Sequence, residues 1–139
     1  MLTCTTCWEI YESNTGIIMD GHPCPKRECM GQVADIDEML LPSIVLLNEK
    51  GYWTKCCCSG HFHSGTSDSA YILFEETVKQ EDFGVLPKGF TFESGNQNVV
   101  CIRRQLRAKD QFDLHRKVVE ASIDVLEWAR TIGTCHDCE

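Results

Sequence analysis

"CTTCWEIYESNTGIIMDGHPCPKREC", Cys4 to Cys29, begins and ends on a pair of cysteines. Cys4 and Cys7 are two residues apart in spacing, whereas Cys24 and Cys29 enclose four residues. Between the pairs the chain reads as a strand, a turn at Asn14-Thr15-Gly16, a second strand and a turn at Asp20-Gly21. Trp8, Ile10, Tyr11, Ile17 and Ile18 favour extended backbone, and the Asn, Asp and Gly residues punctuate it. Two cysteine pairs flanking a hairpin follow the logic of a zinc ribbon, in which each knuckle offers two thiolates and a tetrahedral ion joins them. So short a segment cannot bury a core of its own, and metal binding would supply its folding free energy. The pattern therefore predicts one zinc ion on Cys4, Cys7, Cys24 and Cys29, in a separate unit spanning residues 1–34. The second knuckle is longer than the usual two-residue spacing, and His22 stands close by as a substitute ligand.

From Asp35 the texture changes. In "DIDEMLLPSIVLLNEKG" Asp35 reads as an N-cap with Glu38 three residues on, and Ile36, Leu40, Ile44 and Leu47 recur at helical spacing. Pro42 lacks an amide donor and should kink or restart that helix, and Gly51 is a natural stop. Strand signals follow at "YWTKCCC", "AYILFEE" and "VVCIRRQL", the last preceded by a turn-like Gly95-Asn96-Gln97-Asn98. A closing helix runs from about Asp110 to Ile132, with Leu114, Val118, Ala121, Val125, Trp128 and Ile132 on one face. Residues 35–139 thus read as a small α+β domain with a terminal CxxC, Cys135 and Cys138. Its expected architecture is two-layered, with two main helices on a mainly antiparallel sheet.

Composition narrows the function. Of 139 residues, 42% are hydrophobic and 24% charged, a globular balance. The formal net charge of -8 opposes adhesion to nucleic acid or anionic membrane, since both require a basic field. Arg103, Arg104, Arg107, Lys109, Arg116 and Lys117 nevertheless cluster, either as a solvated edge or as a face for a small anion. No apolar run approaches the roughly 20 residues of a membrane span. The start, "MLTCTTCWEI", has neither part of a secretion signal, so a cytoplasmic location is expected. In a reducing compartment ten cysteines point to metal before disulfides.

The second chemical stretch is "KCCCSGHFHSG", Lys55 to Gly65. On a strand Cys56 and Cys58 point one way and Cys57 the other, and at least one thiol should be core. Gly60 breaks the strand, and His61 and His63 share a face if the chain stays extended. Three readings stay open: a purely structural run; a second zinc centre built from His61 and His63 with Cys135 and Cys138; or a ligand or catalytic loop. The last would use Cys58, Ser59 and His61, because a thiolate beside a histidine is a nucleophile. No Asp or Asn partner for that histidine is identifiable from the sequence.

"LLNEKGYWTKCCCSGH", Leu46 to His61, resembles a pattern in small zinc-ribbon proteins of bacteria and bacteriophages, a helix with Leu-Asn-x-Lys-Gly-Tyr followed by Cys-Cys-Ser-Gly-His. More distantly, a helix feeding a strand that ends in Cys-Ser-Gly is similar to the wybutosine-synthesis tRNA methyltransferase family, over about ten residues. That family has serines where Cys56 and Cys57 stand and an arginine where His61 stands. The distant resemblance implies an S-adenosylmethionine-like ligand; the closer one implies a family but no activity. The reading favoured by the sequence is a zinc-binding binding or regulatory module, on a phage origin an inhibitor of a host system, acting on a protein partner or small anionic ligand. Arg103 and Arg104 would face such an anion beside Cys58, Ser59, His61 and His63. The alternative is a small enzyme, methyltransferase-like or thiol- and histidine-dependent, centred on the Cys58–His61 loop.

Overall fold

The computed structural model describes residues 1–12, 18–61, 65–94 and 98–135. The expected turns at Asn14-Thr15-Gly16 and at Gly95-Asn96-Gln97 lie outside the described residues. The chain divides into two compact units, Met1–Glu38 and Met39–Glu139.

The first unit is a three-stranded antiparallel sheet in the order β2-β1-β3, formed by β1 (Leu2–Cys4), β2 (Ile10–Tyr11) and β3 (Val33–Asp35). Its extension to Glu38 has a local cause. Leu2 pairs with Asp35 in the sheet, and the Met1 ammonium meets the Asp35 carboxylate at 2.7 Å and the Ile36 carbonyl at 2.8 Å. Asp35 is therefore an edge residue of β3 and not the N-cap expected of it.

The second unit begins with α1 (Leu41–Glu49), whose N-cap is Leu40. Pro42 lies in the first turn, where its missing N–H would have no partner in any case, so it starts the helix and does not kink it. Behind α1 come β4 (Thr54–Cys58), β5 (Ser67–Phe74), a short 3-10 turn at Gln80–Asp82, β6 (Thr91–Phe92), β7 (Cys101–Arg107) and α2 (Gln111–Thr131). The strands form a four-stranded antiparallel sheet in the order β4-β5-β7-β6. With two helices and two antiparallel sheets among the described residues, the chain is α+β. Asp110 caps α2 by accepting the Asp113 amide at 2.7 Å, close to the start read from periodicity.

Ala70, Ile72 and Phe74 alternate along β5 and are buried, as are their neighbours Ile102 and Leu106 on β7. This face meets α2, which contributes the buried residues Leu114, Val118, Ala121, Val125 and Trp128. α1 adds Ile44 and Leu47 against α2 and β4. Phe83 stacks on Tyr52 at 5.1 Å and on Trp128 at 5.9 Å, closing one end of the core.

The Leu-Asn-x-Lys-Gly-Tyr motif works as a joint between elements. Asn48 is buried; its amide donates to the Thr54 hydroxyl at 2.9 Å and its carbonyl accepts the Thr54 amide at 3.1 Å, which fixes β4 to α1. Gly51 adopts φ 91°, a conformation that favours glycine, and the buried Tyr52 turns into the core. Lys50 reaches the last turn of α2 and donates to the carbonyls of Ala129, Arg130 and Ile132.

Candidate metal centre and thiol site

In the first unit, β1 ends at Cys4 and the chain turns at once, so that the Thr6 and Cys7 amides point back at the Cys4 sulfur at 3.3 and 3.5 Å. Across from it, Cys24 is anchored to the Gly31 carbonyl and Cys29 to that of Lys26. The longer second knuckle is accommodated by Glu28, which takes φ 70°. Cys4 Sγ lies 3.7 Å from Cys29 Sγ, and Cys7 Sγ lies 3.8 Å from Cys24 Sγ. All four sulfurs lie within 4.8 Å of one another, the one such group among the described residues able to hold a metal ion. None of the four is disulfide-bonded. With zinc–sulfur bonds of about 2.3 Å, the edge of a tetrahedron of sulfurs is about 3.8 Å. The sulfurs thus stand at a spacing that fits a four-thiolate ion, and the donor set needs no contribution from His22.

Electrostatics and packing support this arrangement. Burial alone would raise the Cys4 thiol, but the Cys7 and Thr6 amides and the neighbouring thiols outweigh it and bring it down to about 6. The Gly31 amide favours the Cys29 thiolate, yet burial and the sulfurs of Cys4, Cys24 and Cys7 push Cys29 up to about 11. Four ionised sulfurs this close repel one another, and a cation removes the conflict. Tyr11 holds its hydroxyl 3.2 Å from Cys24 Sγ. Gly31 passes so near the cluster that a Cβ there would lie 2.7 Å from Cys4 Sγ and 2.5 Å from Thr6 Oγ1. The Gly31 requirement is invisible in sequence, because it depends on β3 returning beside β1.

The second stretch is organised differently. Cys56 pairs with Leu73, Cys57 with Ile72 and Cys58 with Tyr71, so Cys57 faces the helices and its two neighbours face away. None of the three thiols is fully buried, in contrast to the expected core cysteine, because β4 is an edge strand. Ser59 and Gly60 are buried instead. His61 is exposed, with Nε2 4.0 Å from Cys58 Sγ and Nδ1 3.1 Å from Asp68 Oδ2. Asp68, at the start of β5, is the carboxylate that sequence reasoning missed. It also accepts the His61 amide at 2.8 Å and the Ser69 amide at 2.7 Å. Its only sequence signal is that of a polar residue opening a strand after a loop.

The remaining candidates are placed elsewhere. Arg103 stacks over the Tyr71 ring at 4.6 Å, bonds Ser69 Oγ at 2.6 Å and pairs with Glu93 at 3.2 Å. It lines a cleft of about 450 Å³ that also contains Glu93, Thr91 and Gln105. Arg104 pairs with Asp124 of α2 at 2.7 Å. Both guanidinium groups thus have carboxylate partners within the fold. Cys135 donates its amide to the Lys50 carbonyl at 2.8 Å. His63 and Cys138 lie outside the described residues. No helix among the described residues is long and apolar enough to cross a membrane.

No protein-family pattern, curated protein or solved structure matches the chain.

Proposed function

We propose that the first unit is a zinc ribbon and that the chain is a binding module whose partner is a protein. The observation that carries this reading is the four-sulfur cluster, with opposed edges of 3.7 and 3.8 Å. Four thiolates fill a tetrahedral shell and leave no open position for substrate, which is the character of a structural zinc site and not of a catalytic one. In the same unit Met30 is 95% exposed, and Ile10 and Met19 are 56% and 54% exposed. Flexible thioether side chains on a rigid, metal-held frame suit contact with a protein surface. A small anionic ligand is less well served, because Arg103 and Arg104 are already paired with Glu93 and Asp124. On a phage origin, the partner would belong to a host system.

The test uses three forms of the chain, namely the zinc-loaded protein, Met30→Glu and Cys4→Ser, in affinity capture from the cells in which the protein acts. A partner retained by the first and lost from both variants, with zinc still bound in Met30→Glu, supports the reading. Capture that survives complete metal removal, or a purified chain that holds no zinc, contradicts it.

A further inference from the structure

We propose that Cys58 is a nucleophilic thiol, served by His61 as base and Asp68 as the positioning carboxylate, and that it exchanges with small soluble disulfides. The inference stands on the second unit alone and does not depend on the metal reading.

The geometry begins with Gly60. It adopts φ 97°, and a Cβ there would lie 2.9 Å from Leu106 Cδ1 and 3.3 Å from Val118 Cγ2. The turn is therefore seated on the core, and Ser59 before it is only 3% exposed. This seating folds His61 back over Cys58, so that Nε2 stands 4.0 Å from the sulfur. Asp68 holds the other ring nitrogen at 3.1 Å and is itself fixed by the amides of His61 and Ser69. A carboxylate acceptor at Nδ1 favours the tautomer with its proton there, which leaves the Nε2 lone pair facing the thiol. The Gly60 amide adds a hydrogen bond to Cys58 Sγ at 3.4 Å, which favours the thiolate.

The same amide decides the class of chemistry. An acyl-transfer centre needs donors aimed at a developing oxyanion. Here the amide at the turn is aimed at the sulfur itself. Disulfide exchange develops charge on sulfur only and needs no such hole. Cys58 gives its proton to His61 Nε2, and the thiolate attacks one sulfur of R–S–S–R. The Cys58–sulfur bond forms as the reagent's S–S bond breaks. The departing R–S⁻ takes the proton from His61 and leaves as R–SH. Cys58 is oxidised to a mixed disulfide, and the reagent is the oxidant.

Cys56 provides the internal comparison. It lies on the same side of β4 and is more exposed, but its sulfur faces the Tyr71 hydroxyl at 3.8 Å. The test exposes the zinc-loaded full-length chain to 2-hydroxyethyl disulfide, quenches with acid and maps adducts by peptide mass spectrometry. Cys58 should react at least about fivefold faster than Cys56. The margin is modest because nucleophilicity falls as a thiol becomes more acidic. His61→Ala should bring Cys58 down to the rate of Cys56, added imidazole should restore part of the difference, and Asp68→Asn should fall between, all with Cys56 unchanged. Should His61→Ala fail to fold, the same readings apply to His61→Gln. Equal rates at Cys56 and Cys58 in the unaltered chain, or a Cys58 rate indifferent to His61, would overturn the proposal. So would loss of a bound metal ion in Cys58→Ser, which would make the thiol a ligand.

Discussion

Lys50 Nζ lies 2.7 Å from the carbonyl oxygen of Ala129, although 79 residues separate them along the chain. The same ammonium meets the carbonyls of Arg130 at 3.1 Å and Ile132 at 2.7 Å. One side chain from the end of α1 thereby satisfies the carbonyls that the last turn of α2 leaves open, and its charge opposes the negative end of that helix. Lys50→Met keeps the length of the side chain and removes the donors. It should lower the stability of the second unit by roughly 1–3 kcal/mol. The check is chemical denaturation followed by tryptophan fluorescence, with the zinc content of the chain unchanged.

Gly31→Ala should weaken zinc binding without removing a ligand. The added methyl would sit 2.7 Å from Cys4 Sγ and against Thr6, so the knuckle must open to admit it. Disturbing the residues around a metal site typically costs about 10- to 100-fold in affinity. Competition with a chromogenic zinc chelator reads this directly, and an affinity equal to that of the unaltered chain would show that the close approach is unimportant.

Cys101→Ala should leave metal binding intact and cost roughly 1 kcal/mol. Cys101 is buried on β7, and burial, reinforced by Glu93, pushes its thiol up to about 12. It should accordingly resist alkylation in the native state at neutral pH and react only on unfolding. Fast native labelling of Cys101 would contradict its place in the core.

Asp113 gives the second unit an acid limb. The Arg116 guanidinium, then the Lys109 amide, holds its carboxylate below the usual range. A carboxylate depressed in the folded state contributes stability that is present above its unfolded value, near pH 4, and is lost as pH falls through its lower folded value. Asp113→Asn should therefore be destabilised at neutral pH and should lose less stability than the unaltered chain on acidification from about pH 5 to pH 3. Parallel slopes for the two proteins over that window would refute the assignment.

Much of this was legible in the sequence, for reasons that differ by element. The four clustered cysteines announce themselves because a group able to hold a metal ion is written in donor type and spacing, and α2 announces itself through its apolar period and the Asp110 cap. The start of α1 misled because Asp35 and Glu38 carry a capping pattern, while pairing with β1 and the Met1 ammonium claims Asp35 for a strand. Cys58 and His61 are three residues apart and could be read together; Asp68 joins them only because β5 returns antiparallel to β4. The partners of Arg103 and Arg104 were equally hidden, since Glu93 and Asp124 reach them through the sheet and α2.

The central claim is most directly tested by native mass spectrometry of the full-length chain and of Cys4→Ser, each purified with zinc present. The account predicts one zinc ion per chain in the first, and in the second a loss of that ion together with rapid proteolysis confined to residues 1–38. A chain that binds no zinc, or a Cys4→Ser protein that keeps its ion and its protease resistance, would contradict it.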